Sequence, residues 1–368
     1  MNIGLVIYGS LDILTGGFLY DRNLVEFLRS TGDRVEVFAF PWRTYPSHLL
    51  QNFSRKFCSW CRSSHFDVLL EDELNHPSLF LANRRVKSLL SCPIIAIVHH
   101  LRSCEMRPSW QNRLYGAVER YFLQGVDGYI FPSFTTAATV ESLVLDNKPF
   151  VVAHPGKDAM AGSITREEVQ RRSFAEGPFH ILFVGNLIPR KGLHVLIDGA
   201  ALLPTREWRL KVVGSLTADR RYADYIRAKI KKYDLEQNVD LLGAVTGAEL
   251  SDLYRASHVL AVPSSYEGFG IVYVEGMAFG LPSIAATSGA AREIIEDGVN
   301  GFLVEPDNHR SVSRHLSTLM ADREKLFSMA CSAMERHGAY PTWRETAAKI
   351  RTFLQTMTGR QTDMRPNG

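Results

Sequence analysis

The chain has 368 residues, of which 45% are hydrophobic, and its 42 basic and 39 acidic residues leave a net charge of +3. Because this length exceeds what one hydrophobic core usually organises, two domains are expected. The near balance of charge argues against a dedicated nucleic-acid-binding protein. No apolar stretch approaches the roughly 18 residues that a membrane-spanning helix needs, and residues 1–9 predict a first strand rather than a secretion signal. We therefore expect a cytoplasmic protein, with peripheral contact at the inner face of a membrane as an option.

The five cysteines are an odd number, which favours reduced thiols over disulfides. Cys58 and Cys61 form a Cys-x-x-Cys pair with His65 nearby, and Cys92 and Cys104 could complete a zinc shell. Since the chain has no second closely spaced pair, we expect no metal site.

Short apolar runs alternate with amphipathic helical stretches along the whole chain. This pattern predicts an α/β protein with two Rossmann-like domains, each a parallel sheet covered by helices on both faces. The first-half strands are predicted at Ile3–Tyr8, Arg34–Phe40, Val68–Leu70, Ile94–Val98, Gly128–Phe131 and Phe150–Ala153. The second-half strands are predicted at His180–Val184, Arg209–Val213, Val239–Leu242, Val259–Val262, Ser283–Ala286 and Phe302–Val304. We expect the two domains to face each other across a cleft, where ligands lie beyond the carboxyl ends of the strands.

The domain boundaries follow from composition. We expect a first domain over residues 1–157, a linker over 158–177 and a second domain over 178–340. A last helix, 341–358, starts with a capping box of Thr342 and Glu345, and its apolar stripe is expected to cross back to the first domain. Residues 359–368 are polar and predict a disordered tail.

The most informative pattern is the segment 267–275, in which Glu267 and Glu275 bracket a glycine-rich turn ahead of a predicted helix. A helix N-terminus offers unpaired N–H groups and positive dipole density to a phosphate, and glycines let the phosphate come close to the backbone. The two carboxylates could then hold hydroxyl groups of the same ligand. This combination suits a nucleotide sugar.

A second turn, 184–192, places Arg190 and Lys191 at the end of the first strand of the second half. A diphosphate needs such cations, because the chain contains no Asp-x-Asp metal motif. For Arg190 a merely solvated basic turn remains the alternative.

Taken together, these motifs resemble the retaining glycosyltransferases of family 4, whose fold is GT-B. The matching segments are Phe183-Val184-Gly185-Asn186, Arg190-Lys191-Gly192, Pro263-Ser264, Glu267-Gly268-Phe269-Gly270 through Glu275, Gly280-Leu281-Pro282 and Asp297-Gly298-Val299-Asn300-Gly301-Phe302-Leu303-Val304. The resemblance covers almost the whole C-terminal half. It extends more loosely to the first half, through Gly16-Gly17 and His99.

The resemblance implies roles for individual residues. Glu267 would hold the donor sugar, Lys191 would contact the diphosphate, and His99 would lie beside the sugar as the third catalytic candidate. Glu275 would bind the ribose. The implied donor-binding residues are Gly16, Gly17, Asn186, Arg190, Lys191, Val245, Phe269, Gly270, Ile271 and Glu275. One position departs from the family pattern, because Asn186 stands where an arginine is usual, and Arg190 is the candidate to restore its charge.

The implied reaction is transfer of a sugar from a nucleotide-diphosphate sugar to a hydroxyl of a glycan, lipid or small molecule. The anomeric configuration would be retained, and neither a metal ion nor another cofactor would be needed. Two alternatives remain open: a GT-B nucleotide-sugar epimerase, and a catalytically impaired protein that only binds nucleotide sugars. A dinucleotide oxidoreductase is disfavoured, because neither sheet opens with Gly-x-Gly-x-x-Gly.

The acceptor is expected on the first domain, where two segments combine basic and aromatic residues. One contains the acceptor-side candidates His100, Arg102, Arg107 and Trp110. The other, 46–64, spaces Leu49, Phe53, Phe57 and Trp60 as on a helix with basic residues beside them. Such a basic amphipathic helix can lie on an anionic membrane, and a core helix with a solvated basic face is the alternative.

Overall fold

The computed structural model describes residues 1–13, 15–105, 107–158, 162 and 164–359. It divides into two compact units. The first consists of Met1–Gly156 and the segment that starts at Pro341, and the second is Lys157–Tyr340. Residues 360–368, which make up most of the expected tail, lie outside the described residues.

Each unit is built on one six-stranded parallel sheet, which confirms the predicted fold class. In the first unit the spatial order is β2-β1-β3-β4-β5-β6, with strands β1 Asn2–Tyr8, β2 Arg34–Phe40, β3 Val68–Asp72, β4 Ile94–Ile97, β5 Gly128–Phe131 and β6 Phe150–Val152. In the second unit the order is β12-β11-β10-β7-β8-β9, with strands β7 Phe179–Val184, β8 Trp208–Val213, β9 Val239–Gly243, β10 Val259–Val262, β11 Ser283–Ala286 and β12 Gly301–Val304.

Helices connect successive strands of each sheet. The first unit contains α1 Gly16–Ser30, α2 Tyr45–Leu50, α3 Arg55–Ser63, α4 His76–Leu79, α5 Ala82–Val86, α6 Ser109–Gly125, α7 Phe134–Val144 and α16 Trp343–Met357. The second unit contains α8 Arg166–Phe174, α9 Leu193–Ala201, α10 Arg220–Lys232, α11 Gly247–Ala256, α12 Ile271–Ala278, α13 Ala291–Ile294, α14 His309–Ala321 and α15 Arg323–Gly338. The central strands are near-continuous apolar runs, as expected for parallel strands that are buried on both faces.

The strand order reverses once in each sheet, and this reversal positions the candidate sites. In the first sheet the chain runs from β1 to β2 and then returns to the other side of β1 with β3. In the second sheet it runs from β7 through β8 to β9 and then returns to the other side of β7 with β10. Loops that leave the carboxyl ends of two such neighbouring strands diverge and leave a crevice for a ligand. The two turns expected to hold phosphate follow β7 and β10, so they flank the crevice of the second sheet.

The segment expected to be a linker, 158–177, differs in the structure. Its helix α8 starts with a capping box of Thr165 and Glu168, and Val169 is fully buried. The Arg172 guanidinium donates to the carbonyl oxygens of Phe279 at 2.9 Å and Gly280 at 2.7 Å. These contacts make α8 a packed element of the second unit.

The last helix, α16, belongs to the first unit, and it begins with the predicted capping box of Thr342 and Glu345. Arg351 on α16 forms a bidentate ion pair with the buried Asp33, with Nε at 2.6 Å from Oδ2 and Nη2 at 3.3 Å from Oδ1. The Thr346 hydroxyl donates to the carbonyl oxygen of His154 at 2.6 Å. These bonds fasten the end of the described chain to its first 156 residues.

Residues 46–64 do not form the single amphipathic helix considered above. The buried side chain of Asn52 donates to the carbonyl of Pro77 at 2.7 Å, and Ser54 caps a new helix, so the chain bends between α2 and α3. Phe57 is fully buried in the core, whereas Phe53 remains 57% exposed. The core-helix alternative is therefore right for α3. Among the described residues, no helix has the length and apolar character needed to cross a membrane.

Candidate functional site

The carboxylate of Glu267 is the centre of a charged cluster in the second unit. Lys191 Nζ lies 2.6 Å from its Oε1, and the Ser264 hydroxyl donates to the same oxygen at 2.6 Å. Arg190 Nη1 approaches Oε2 at 3.4 Å and donates to the Tyr266 carbonyl at 2.7 Å. The side chain of Glu267 is only 9% exposed, and that of Lys191 only 15%.

The electrostatics of this cluster leave it with a surplus of positive charge. Burial alone would raise the pKa of Glu267, but the cations Lys191 and Arg190 outweigh it and hold that pKa at about 2. Burial lowers the pKa of Lys191, and Glu267 opposes that effect. The carboxylate is therefore ionised at neutral pH, and two cations share one anion. Such a cluster attracts a further anionic group.

Close contacts between loops bring these side chains together. Gly192, which follows Lys191, has a φ of 71°, and a Cβ on it would come within 2.1 Å of the carbonyl oxygen of Pro263. On the other side of the turn, a Cβ on Gly289 would come within 2.3 Å of the carbonyl oxygen of Glu267. The Ser265 amide donates to the Arg190 carbonyl at 2.8 Å. The turn after β10 is thus held between the loops that follow β7 and β11.

Asn186 and Arg190 have different local roles in the structure. Asn186 Oδ1 accepts a hydrogen bond from the backbone amide of Ser215 at 3.0 Å, which joins the loops after β7 and β8. Arg190 points to the turn that carries Glu267. Arg190 is thus a second cation beside Glu267, and its side chain is held by hydrogen bonds to this turn.

The glycine-rich turn ends where α12 begins. Gly270 precedes this helix with a φ of 102°, and no side chain of the described residues caps it. The Phe269 side chain is buried, with its ring centroid 6.1 Å from that of Tyr340, so Phe269 anchors the turn in the core. The first amides of a helix without a side-chain cap are suited to an anion.

Glu275 lies one turn into α12 and is half-buried. The hydroxyl of the fully buried Tyr254 donates to its Oε2 at 2.8 Å, and burial raises the pKa of Glu275. Its Oε1 has no hydrogen-bond partner among the described residues. Val245, after β9, packs partly buried against the core of the same unit.

In the first unit, His99 follows β4 and contacts α1, the helix that starts at Gly16 and Gly17. His99 Nε2 lies 3.2 Å from Oδ1 of Asp21, a residue that the sequence patterns did not single out. Asp72 at the end of β3 is the third member of this group, and one ligand atom from each of the three residues lies within 4.8 Å of the others. Asp21 could be found in sequence only by knowing that α1 packs against the end of β4.

Acidic groups dominate the interior around this histidine. Burial raises the pKa of Asp72 and Glu73, each to about 8. A second group, Glu73, His76 and Glu119, has the same spacing of ligand atoms, and all three residues are buried. Carboxylate and imidazole are donors that could hold a divalent cation. Protonation of the carboxyl groups whose pKa is raised would also neutralise their charge, without a cation.

The acceptor-side candidates are only partly brought together. Glu105 joins two of them, with its Oε1 3.1 Å from His100 Nε2 and its Oε2 2.5 Å from Arg107 Nη2. The Arg102 guanidinium lies over the ring of Tyr115 at 5.0 Å. Trp110 stands apart at the start of α6 and is 63% exposed.

Each unit matches the model of a known protein family. Residues 16–159 match the family model described as Glycosyltransferase Family 4, and residues 165–336 match the one described as Glycosyl transferases group 1. The two matches adjoin and leave only short segments of the chain uncovered.

Relatives and solved structures agree with these matches. A D-inositol 3-phosphate glycosyltransferase of Corynebacterium glutamicum is 33% identical over 208 residues, which are 54% of this chain and 50% of that protein. The chain thus spans about half the length of this relative. A sucrose-phosphate synthase from Thermosynechococcus elongatus superposes with a TM-score of 0.81 at 19% identity, over 97% of this chain and 99% of the other.

A second solved structure, Anabaena HepE in complex with UDP and glucose, superposes with a TM-score of 0.75 at 20% identity, over 96% of this chain and 99% of the other. At such low identities these likenesses establish the fold. The two reversed parallel sheets, the charged turn of Glu267 and the family matches lead to one conclusion: the chain belongs to the family 4 type of glycosyltransferases and has the GT-B fold.

Proposed function

We propose that this protein is a retaining glycosyltransferase that moves a sugar from a nucleotide-diphosphate sugar to an acceptor hydroxyl in the cytoplasm, without a metal ion. The observation that carries the proposal is the buried cluster of Glu267, Lys191 and Arg190 beside the uncapped start of α12. Its surplus positive charge is matched to a leaving diphosphate. The presence of UDP and glucose in the HepE complex supports a nucleotide-sugar donor.

The proposed reaction breaks the bond between the anomeric carbon and the diphosphate oxygen. The acceptor oxygen bonds to the anomeric carbon on the face that the diphosphate leaves, and the acceptor proton passes to a phosphate oxygen. Lys191, Arg190 and the first amides of α12 stabilise the negative charge that develops on the leaving group. Glu267 orients the sugar, and Ser264 and Lys191 fix the rotamer of its carboxylate. His99, Gly16 and Gly17, which lie together in the first unit, remain separate candidates for substrate binding.

Two substitutions test the charged cluster. Glu267→Gln and Lys191→Ala should each lower turnover by about 100-fold or more, because each removes a group that acts on the transition state. The measurement is nucleoside-diphosphate release from UDP, GDP and ADP sugars in the presence of candidate acceptors. The control is Lys231→Ala on the exposed surface of α10, which should leave turnover unchanged.

Near-normal turnover in both variants would contradict the proposed role of the cluster in catalysis. An epimeric nucleotide sugar that forms from the donor alone would favour the epimerase alternative. Donor binding by the wild type with no turnover in any acceptor mixture would favour the impaired binding protein.

A second test addresses Glu275, which we propose to bind the ribose hydroxyls through its unpartnered Oε1. The wild type should bind its preferred nucleoside diphosphate about 10-fold or more tightly than the 2′-deoxy analogue, since a buried hydrogen bond to a charged group is lost. In Glu275→Ala the preference should disappear, and Tyr254→Phe, which removes only the hydrogen bond to Oε2, should retain part of it. Equal affinities for the two nucleotides in the wild type would contradict the role in ribose binding.

A third test addresses the proposed contact with an anionic membrane through residues 46–64. Leu50 is 71% exposed, Phe53 is 57% exposed, and the Arg85 guanidinium lies 4.8 Å from the centre of the Phe53 ring. Exposed apolar side chains beside cations are suited to the surface of an anionic membrane. In flotation assays the wild type should rise with phosphatidylglycerol vesicles but not with phosphatidylcholine vesicles, and Phe53→Ser should reduce the floated fraction.

The matched control for this assay is Leu202→Ser, which changes an equally exposed leucine of the second unit. Wild-type protein that stays at the bottom of the gradient with both vesicle types would remove the membrane contact from the proposal.

A further inference from the structure

The guanidinium of Arg102 lies over two tyrosine rings of the first unit. Its central carbon is 5.2 Å from the ring centre of Tyr45 and 5.0 Å from that of Tyr115. The two ring centroids are 4.6 Å apart, and the Tyr45 hydroxyl lies 3.1 Å from Nε2 of the buried His76. A cation over an aromatic face is stabilised without a hydrogen bond. The rings therefore hold the Arg102 side chain and leave its N–H groups to other partners.

A buried carboxylate fixes the backbone that carries this arginine. Glu119 on α6 is fully buried, and its Oε1 accepts from the amides of Arg102 at 2.6 Å and Ser103 at 3.2 Å. The Ser103 hydroxyl donates to Oε2 of the same carboxylate. These bonds satisfy the first donors of one 3₁₀ turn, Arg102–Cys104, and give Glu119 its own partners. The position of Arg102 is thus set before a ligand binds.

The Arg102 side chain has donors but no acceptor. Among the described residues, no carboxylate forms an ion pair with it, and no oxygen accepts a hydrogen bond from its guanidinium. Its Nε is enclosed and has no hydrogen-bond partner. Because a guanidinium offers five N–H groups, and an enclosed donor without an acceptor is destabilising, this arrangement indicates an acceptor from outside the chain. The side chain as a whole is partly exposed, so a ligand can reach it.

The neighbouring side chains leave positive charge available for an anion. Arg107 lies over the same Tyr115 ring at 5.4 Å, and its Nη2 pairs with Oε2 of Glu105 at 2.5 Å. Nε2 of His100 lies 3.1 Å from Oε1 of that carboxylate. Among these side chains, two guanidinium groups and an imidazole share one carboxylate. An anionic ligand would therefore meet a favourable field at Arg102.

These groups lie at the edge of the first sheet where parallel strands end. Tyr45 begins α2 after β2, Arg102 follows β4, and Tyr115 is on α6, the next helix along the chain. The carboxyl ends of parallel strands share one edge of a sheet, and α/β sheets bind their ligands there. The arginine is thus placed at the ligand-binding edge of its own unit.

We propose that Arg102 binds a phosphate or carboxylate group of the acceptor, so that the acceptor of this protein is an anionic molecule. The planar fork of a guanidinium matches two oxygens of either group. Arg102 is then the residue that selects the acceptor, and the two tyrosine rings hold the plane of its fork. The inference rests on the proposed function, which supplies the sugar transfer, whereas binding of an anion at Arg102 can be measured without that reaction.

The first experiment follows the guanidinium directly with simple sugars. By NMR, the Nε–H signal of Arg102 is assigned by its loss in Arg102→Lys. This signal should shift in a saturable way with glucose 6-phosphate, which carries a phosphate, or with glucuronate, which carries a carboxylate. Glucose at the same concentrations should leave the signal in place. The anionic sugar that binds more tightly identifies which of the two groups Arg102 prefers.

The second experiment follows transfer to acceptors that carry a phosphate or a carboxylate. Arg102→Gln should raise the KM for such an acceptor by about 10-fold or more and change kcat far less, because the lost contact holds the ground state and the transition state alike. Arg102→Lys keeps the charge but lacks the fork, so its KM should lie between the two. Tyr115→Phe keeps the ring and should retain a low KM. The matched control is Arg120→Gln, an exposed arginine of α6, which should leave the KM unchanged.

The outcomes separate the inference from the proposed function. The inference is overturned if neither anionic sugar shifts the Arg102 signal, or if a neutral acceptor is used with the same KM by the wild type and Arg102→Gln. In the second case the proposed function stands. If the signal shifts with an anionic sugar but no sugar is transferred to any acceptor, the anion site stands and the proposed function fails. Thermal unfolding identifies a variant that has not folded, and the titration of the wild type then carries the test.

Discussion

The second unit depends on one constraint, which is the pairing of the buried carboxylate of Glu267 with two cations. A carboxylate as enclosed as that of Glu267 would cost several kcal/mol without a partner, so the loops after β7 and β10 have to meet. Gly192 and Gly289 permit that meeting where any side chain would collide with backbone. The same pairing fixes Lys191 and Arg190 in place before a ligand arrives. A preorganised surplus of positive charge needs little rearrangement when a diphosphate departs.

Both units have a crevice where the strand order of the sheet reverses, but the charged groups in the two crevices differ in sign. In the second unit the crevice between β7 and β10 has two cations around one acid. In the first, the crevice between β1 and β3 has several buried acids around the imidazole of His99. Protons neutralise part of that acidity, because burial raises the pKa of Asp72 and Glu73 into the neutral range. The crevice of the first unit thus combines buried acids with one imidazole, whereas that of the second unit has a surplus of positive charge.

The predictable part of this protein lies in features that are local in sequence. Apolar runs of the right length predicted twelve parallel strands in two sheets, and the structure has them. The capping box at Thr342 predicted the start of α16. The glycine-rich turn predicted an uncapped helix start after Glu267, because Gly270 offers no side chain for a cap.

The features that sequence reasoning missed are contacts between residues far apart in the chain. The ion pair of Lys191 and Glu267 joins residues 76 positions apart, and that of His99 and Asp21 joins residues 78 apart. Nothing in either local pattern indicates its partner. The bend within segment 46–64 has the same cause, since helical spacing of its apolar residues gave no sign that Asn52 would bond to Pro77.

We propose that the cations paired with Glu267 hold a diphosphate. The most direct measurement is calorimetric binding of the preferred nucleoside diphosphate and of the corresponding monophosphate to the wild type and to Arg190→Met. The wild type should bind the diphosphate about 10-fold or more tightly than the monophosphate, and Arg190→Met should reduce this difference in affinity. Equal affinity of the wild type for the two nucleotides would show that these cations do not hold the second phosphate.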